Sequence, residues 1–361
     1  MSLVQLSPRC IPAEHEAEQA LGQGAQRWNT VPPVIERLKK RARELGLWNL
    51  FLTKEYKEGP GLTNYESWAA ARTFAPVATN CAAPDTGNME VFAKYGNAEQ
   101  KKRWLEPLMN GEIRSAFAMT EPAVASSDAT NIATSIKQDG DHYVVNGHKW
   151  WISGAGHPQC AVFIVMGKSD TSARKHEQQS IIVVPADTPG VTVVRPLTVF
   201  GYDDAPHGHC EVRFDNVRVP KENLILGEGR GFERVQSRTT FGRKIVEHGV
   251  VLDYIAKSRM ELEASRMLVL RAADMIDKVG AKNAKKEIAM AKVTVPNVVL
   301  AILDRAIQMY GAGGVGQDTP LASMWAGMRT LRIADGPDEV HIRQIALLEI
   351  QEQNAKQSAK L

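Results

Sequence analysis

Cysteine is scarce: four residues in 361, Cys10, Cys81, Cys160 and Cys210, none closer to the next than 50 positions. That spacing excludes a CxxC redox pair and a zinc knuckle, and it points to a reduced intracellular compartment. Charge of one sign is lacking as well. Forty-four Lys and Arg against 41 Asp and Glu leave a net +3, unconcentrated along the chain, which excludes an electrostatic nucleic-acid binder. No apolar run approaches the ~20 residues of a membrane span. No G-x-S-x-G elbow surrounds any serine, Ser126-Ser127-Asp128 included, so nucleophilic hydrolysis has no support. The opening MSLVQLSPRC has neither the apolar core of a secretory signal nor an Arg/Ser-rich transit stretch. An address is therefore expected at the other end, where Ala359-Lys360-Leu361 is a conservative variant of the Ser-Lys-Leu tripeptide. Peroxisomal import is the expectation, with a mitochondrial or cytoplasmic location as the alternative.

What is present is the composition of a globular protein: 43% hydrophobic, 24% charged, mean hydropathy −0.26. The length suits about two or three domains. From about residue 13 to 110 apolar positions recur at helical spacing, with Ile35, Leu38, Ala42 and Leu45 on one face and Trp104, Leu105, Leu108 and Met109 on another. Residues 80–88, NCAAPDTGN, read as a turn-rich connector between helices. Near residue 115 the period shifts toward two. Ile132, Thr134 and Ile136 alternate up to an Asp139-Gly140-Asp141 turn, and Tyr143-Val144-Val145 runs into Asn146-Gly147, a hairpin signal. Short strands are expected at 161–166, 180–184, 191–194 and 211–214. With no helix between them, they predict a small antiparallel barrel or sandwich rather than a parallel nucleotide-binding sheet. From about 247 to 356 three or four helical segments follow, broken near 279–281, 311–320 and 336–337. The fold class is multi-domain α+β: an N-terminal helical domain (1–114), a middle antiparallel β-barrel domain (115–226) and a C-terminal helical bundle (227–361).

Gly311-Ala-Gly313-Gly-Val-Gly316 matches G-x-G-x-x-G, with Asp335 about 20 residues on. The dinucleotide fingerprint needs a strand before it, whereas 298–310 is helical, so these glycines are expected to end a helix and admit a close backbone approach. His207-Gly208-His209-Cys210 suggests a metal, yet a strand there turns Cys210 away from both histidines; a loop running into a strand is the preferred reading, and no metal site is expected. Two segments remain together: Phe117-Ala118-Met119-Thr120-Glu121-Pro122 and Lys149-Trp150-Trp151-Ile152-Ser153-Gly154. Adjacent tryptophans beside hydroxyl residues supply an aromatic wall and polar donors for a planar, polar ring system, with ordinary core tryptophans as the competing reading. In Arg332-Ile-Ala-Asp335-Gly-Pro-Asp338-Glu339, Asp338 and Glu339 fall in a first helical turn, where acids serve the helix dipole. Asp335, outside the helix, is the freer acid.

On GLWNLFL (46–52), NCAAPDTGNMEV (80–91), FAMTEPAVASSDATNI (117–132), KWWISGAG (149–156), VFGY (199–202), FDNVRVPKENLILGEGRGF (214–232), FGRK (241–244), QMYGAGGV (308–315) and ADGPDEVH (334–341), the sequence resembles the acyl-CoA dehydrogenases, in particular the subgroup typified by family members 10 and 11. The resemblance implies three domains of the kinds just read. It implies FAD, held by Phe117, Met119, Thr120 and a serine of the Ser126-Ser127 pair, covered by Trp151, Ile152 and Ser153. Arg238, Phe241, Gln308, Gly311 and Ala312 fall where the family binds the adenine half of FAD from a neighbouring subunit. Asp335 takes the place of the catalytic glutamate. The implied reaction is α,β-dehydrogenation of an acyl-CoA thioester in fatty-acid oxidation, with Asp335 as base and hydride transfer to flavin N5. The acceptor is then an electron-transfer flavoprotein or oxygen, and the protein a homodimer or homotetramer without nucleic acid or membrane span.

Two departures qualify the resemblance. Asp is about 1.5 Å shorter than Glu by one C–C bond, which suits the subgroup but not the wider family. Between Glu233 and Arg234 roughly 30 residues of the family pattern are absent, about one bundle helix with its connection. Two alternatives therefore stand: a nitroalkane oxidase-like flavin oxidase, and a catalytically impaired remnant or assembly partner lacking a substrate-binding helix.

Overall fold

The structure is a computed structural model that describes residues 7–62, 77–124, 129–231 and 249–358. Ser126, Ser127, Arg238, Phe241, the Glu233-Arg234 junction and the tripeptide 359–361 lie outside the described residues. The chain divides into two compact units, Met1–Leu197 with Asp203–Phe241, and Thr198–Tyr202 with Gly242–Leu361.

In the first unit, helices α1 (Ser7–Leu21), α2 (Pro33–Glu44) and α3 (Asp85–Tyr95) precede a helical stretch at 98–109. α2 opens on Pro33, whose missing N–H costs nothing in a first turn. Asn97 starts the 98–109 stretch with a reciprocal cap: its side chain accepts the Gln100 N–H while the Gln100 side chain accepts the Asn97 N–H. Trp104, Leu105 and Leu108 are buried as their spacing predicts, with Met109 packed alongside. Eight strands follow: β1 (Arg114–Ala118), β2 (Ser135–Asp139), β3 (His142–Ser153), β4 (Cys160–Lys168), β5 (Gln179–Pro185), β6 (Val191–Leu197), β7 (His209–Pro220) and β8 (Leu224–Ile225).

The strand order is β6-β7-β3-β2-β4-β5-β8, with β1 beside β4. β4 organises the unit. Val162, Ile164 and Met166 pack with Met89, Phe92, Leu105 and Leu108 of the helices, while Phe163 and Val165 pack with Val145, Ile152, Val212 and Phe214 of the other strands. Apolar partners on both faces explain why this strand reads as an unbroken hydrophobic run instead of alternating.

Two expectations are corrected. The sheet is not wholly antiparallel, because β1 runs parallel to β4 and β2 meets β4 in parallel at Ser135 and Lys168. Asn146-Gly147 is not a hairpin turn either. β3 passes straight through it, and the hairpin lies at Gly140, where Asp139 pairs with His142. Gly147 serves a close approach instead, since a Cβ there would lie 2.1 Å from Thr134 Oγ1.

In the second unit, α4 (Gly249–Val279), α5 (Lys285–Tyr310), α6 (Leu321–Thr330) and α7 (Asp338–Ser358) fall between the expected breaks. α5 packs against each of the other three and buries Ala289, Pro296, Leu300 and Leu303. α4 buries only Val251, Ser265 and Ala272, leaving Leu252, Ile255, Met260, Met267 and Leu270 among its exposed residues. Thirty-one residues of helix with so thin a buried stripe present more apolar surface than a solvated face tolerates.

Met260 and Met267, seven residues apart on one face of α4, are each 64% exposed. The purified chain is expected to self-associate and to bind a hydrophobic dye. A variant carrying Met260→Glu with Met267→Glu is expected to lose much of both, with unfolding free energy changed by no more than about 0.5 kcal/mol because neither side chain is packed. Light scattering, dye fluorescence and urea titration measure the three quantities.

Candidate active site

The first segment leaves the sheet where β1 ends. Met119 and Thr120 run beside β3, and the two chains join through Trp150 N–H donating to Thr120 O at 3.0 Å and a short hydrogen bond from Thr120 Oγ1 to Trp150 O. Opposite them, β3 carries one residue more than β7: Lys149 pairs with Val212 and Ile152 with Cys210. This bulge throws Trp151 into the left-handed region at φ 54°. Non-glycine residues adopt that conformation only where surroundings impose it.

The consequences for the four aromatic and hydroxyl groups differ. Trp150 and Trp151 meet edge to face, centroids 6.3 Å apart, and Trp151 also lies against the His209 ring. Ser153 Oγ bonds His209 Nδ1 at 2.9 Å. Ile152 is in the core at 1% exposure, so only its backbone faces outward contacts. Phe117 and Met119 are partly buried against the helix-side core. Trp151 Nε1 is buried and has no hydrogen-bond partner among the described residues. An indole N–H in that state costs about 1–3 kcal/mol unless an acceptor meets it.

Beneath the segment sits a buried ion pair that the sequence reading passed over. Lys149 is 0% exposed, and its ammonium donates to Glu121 Oε1 (2.8 Å), Met119 O (2.9 Å) and Met166 O (2.8 Å), using all three protons. Glu121 also accepts from the N–H groups of Ala133 (2.7 Å) and Thr134 (2.9 Å). Burial pushes Lys149 down to about 8, against the pull of Glu121. Burial alone would raise the Glu121 carboxyl, but Lys149 and the donors from Thr134 and Ala133 hold it below its ordinary value. The signal was legible: Tyr143, Val145, Gly147 and Lys149 share one parity, which placed the lysine on the inward face.

In the second unit the glycine motif ends α5 as expected. Gly311 has φ 60° and its N–H donates to Gln308 O. Gln308, Gly311 and Ala312 are exposed together, while a Cβ at Gly314 would lie 2.6 Å from Ile307 O, so only glycine permits the chain to fold back there. Phe200 N–H donates to Val315 O at 2.9 Å and the Phe200 ring lies 5.7 Å from that of Trp325. Asp335 is exposed on the loop before α7, at φ 56°. Asp338 is structural, buried against Arg332 Nε (2.7 Å) and Asn297 Nδ2 (3.0 Å). The Asn297 bond and the Arg332 charge hold its carboxyl below the ordinary range.

The residues of His207-Gly208-His209-Cys210 diverge. His207 stacks on His157 with centroids 4.7 Å apart, His209 turns to Ser153, and Cys210 Sγ approaches Gly156 so closely that a Cβ there would lie 2.7 Å away. Among the described residues no group of three or more His, Cys, Asp or Glu is arranged to hold a metal ion.

Three family descriptions match successive stretches of the chain: the N-terminal, middle and C-terminal domains of acyl-CoA dehydrogenase over residues 13–112, 116–217 and 229–347. The chain is similar to acyl-CoA dehydrogenase family member 11 of Gallus gallus, 49% identical over 97% of this chain and 50% of that protein. It is similar to a Mycobacterium tuberculosis protein named probable acyl-CoA dehydrogenase FadE2, 48% identical over 89% of this chain and 87% of that one. A solved structure from Mycobacterium abscessus, assigned as an acyl-CoA dehydrogenase, is 42% identical, with 96% of this chain and 95% of that chain covered at a TM-score of 0.60. The chain spans about half the length of the first curated relatives it matches. The alignment with the Gallus protein runs over 393 positions against 361 residues here, so at least 32 positions have no counterpart in this chain.

The geometry carries two expectations about stability. Lys149→Met leaves the Glu121 carboxylate buried without its cation and is expected to cost about 3–5 kcal/mol, whereas adding Glu121→Gln removes the orphaned charge and recovers a large part. Urea unfolding of the two variants gives both values. His207 is pushed down to about 4 and His157 to about 2, chiefly by burial, from an ordinary 6.5. Below pH 6.5 the unfolded chain therefore takes up protons that the folded chain refuses. Stability is full above 6.5 and falls as pH drops toward 4, by up to about 1.4 kcal/mol per pH unit for each ring. His207→Gln is expected to flatten that slope in urea midpoints taken across the same window.

Proposed function

The chain belongs to the acyl-CoA dehydrogenase family, and from that premise we propose that it is an FAD-dependent oxidoreductase that desaturates the α,β bond of an acyl-CoA thioester, with Asp335 as the base. Family membership supports FAD as the cofactor. The observation that carries the reading is the β3 bulge. It sets Trp151 in a left-handed conformation with its indole N–H buried and unpartnered, beside the hydroxyl groups of Thr120 and Ser153. A planar ring rich in acceptors fits such a place, with Trp151 as wall and donor and the backbone of Ile152 as a further polar contact. Phe117, Met119 and Thr120 bind the same group in this reading, and Gln308, Gly311 and Ala312 offer a backbone without bulky side chains to a pyrophosphate. FAD, when bound, supplies the hydride acceptor.

The chain's own part is proton chemistry and charge. A thioester acidifies the adjacent C–H, and the Asp335 carboxylate takes that proton. The Asp335 N–H is suited to donate to the thioester oxygen as enolate charge develops. Asp335 is exposed in its own unit, so in this reading the bound acyl chain excludes water from around the carboxylate. A second reading, a remnant that binds flavin but turns over poorly, is favoured by the 32 or more absent positions and the uncovered face of α4.

Protein purified with added FAD is expected to be yellow and to lose flavin absorbance when mixed with an acyl-CoA. Asp335→Asn is expected to retain the flavin and to slow that reduction by roughly two decades or more. Stopped-flow absorbance decides: equal rates in wild type and variant remove Asp335 from the role. Bound flavin without reduction by any acyl-CoA favours the remnant.

A further inference from the structure

The loop that carries Asp335 is clamped at its base and twisted at its tip. At the base, Arg332 and Asn297 hold Asp338, and Asp338 N–H donates to Arg332 O at 3.2 Å. At the tip, Asp335 and Gly336 are left-handed in succession, with φ 56° and 100°. The first is a non-glycine residue in a conformation that persists only where neighbours over-determine it. Among the described residues, one side chain hydrogen-bonds to the tip. His341, in the first turn of α7, places Nε2 3.1 Å from Asp335 O.

A carbonyl only accepts, so Nε2 carries the proton, and in the neutral ring Nδ1 is left as an acceptor. Nδ1 is buried and has no hydrogen-bond partner among the described residues. The ring's one hydrogen bond is thus spent on the Asp335 carbonyl. Gly336 is shaped to the same contact, since a Cβ there would lie 2.9 Å from His341 Nε2. Fixing the Asp335 carbonyl fixes ψ of that residue, which ties the direction of its Cα–Cβ bond to the rigid helix α7.

We propose that His341 is the positioning residue of the base: its Nε2–H locks the left-handed Asp335-Gly336 turn and so aims the Asp335 carboxylate. This rests on Asp335 being the base. A carboxylate displaced by about 1 Å loses up to two decades in rate, so a single hydrogen bond governing its direction bears on turnover and leaves binding aside.

The test uses the full-length, FAD-loaded protein and three variants: His341→Phe, which keeps the ring without the donor; His341→Gln, whose amide N–H reaches close to Nε2; and Asp335→Asn. Amide exchange of the 334–337 segment is expected to accelerate in His341→Phe and to return toward wild type in His341→Gln. With butyryl-CoA or palmitoyl-CoA and a dye acceptor, His341→Phe is expected to lower kcat roughly tenfold with KM within about twofold, and His341→Gln to restore most of it. In an Asp335→Asn background, His341→Phe is expected to add no further loss. Unchanged exchange in His341→Phe overturns the proposal whatever the kinetics, as does a His341→Gln variant no better than His341→Phe, or a full further loss in the Asp335→Asn background. Should Asp335→Asn itself keep wild-type turnover, the base assignment falls and the aiming role with it, while the exchange data still decide whether His341 locks the turn. If His341→Phe does not fold, His341→Leu takes its place in the same comparison.

Discussion

A lysine with no solvent exposure and a glutamate with almost none hold together the candidate site of the first unit. Lys149 is on β3, Glu121 is on the segment leaving β1, and a third bond goes to Met166 on β4. One ammonium therefore fixes three stretches of backbone that no regular ladder joins at that point. Burying two charges is costly, and such a pair is tolerated because all three ammonium protons and both carboxylate oxygens are hydrogen-bonded. What it secures is specificity of arrangement: Met119 O is fixed by the ammonium, Thr120 is fixed to Trp150, and the bulge that follows Lys149 must then occur at Trp150-Trp151.

Both candidate functional positions stand on left-handed non-glycine backbone, Trp151 at φ 54° and Asp335 at φ 56°. In each case the strain is held by hydrogen bonds to a neighbouring element, β1's exit strand in one and His341 of α7 in the other. Their supports differ in kind. Trp151 is backed by a core closed on both faces of β4, whereas Asp335 is backed by one ion pair, one amide and one imidazole. Strained positions that rest on rigid surroundings are how a fold keeps a group aimed without giving it freedom to relax.

Element type was legible because period is a local property. The helical spacing of Trp104, Leu105 and Leu108 and the breaks around Gly280, Gly311 and Gly336 needed no partner to be read. Asn146-Gly147 misled because the same glycine serves two ends, a turn with positive φ or the close approach of another side chain, and only Thr134 distinguishes them. The parallel β1–β4 pair was hidden for a related reason, since strand direction depends on where the intervening chain returns. At the site, the aromatic and hydroxyl residues could be named from their motifs, but the bulge, the unpartnered indole N–H and the role of His341 are relations between residues distant in sequence. The departure of Ile152 into the core follows from the bulge too, because one extra residue moves the inward parity from 151 to 152.

The two units rest on different supports. The first unit closes its core from its own strands and helices: both faces of β4 are covered by described residues, and the Lys149 ammonium bonds to Met119, Glu121 and Met166. The second unit is in a different position. Its central helix α5 has partners on three sides, yet α4 buries three residues along 31. Apolar burial at roughly 25 cal/mol per Å2 makes covering such a helix face worth several kcal/mol, a large share of a domain's net stability. The Thr120–Trp150 contact thus has its supports within the first unit, while the Asp335 loop depends on α5 and α7 remaining in place, through Asn297 on one and Asp338 with His341 on the other. In the proposed reading, loosening of α5 or α7 therefore reaches the aim of Asp335 directly, whereas the Thr120–Trp150 segment keeps supports of its own.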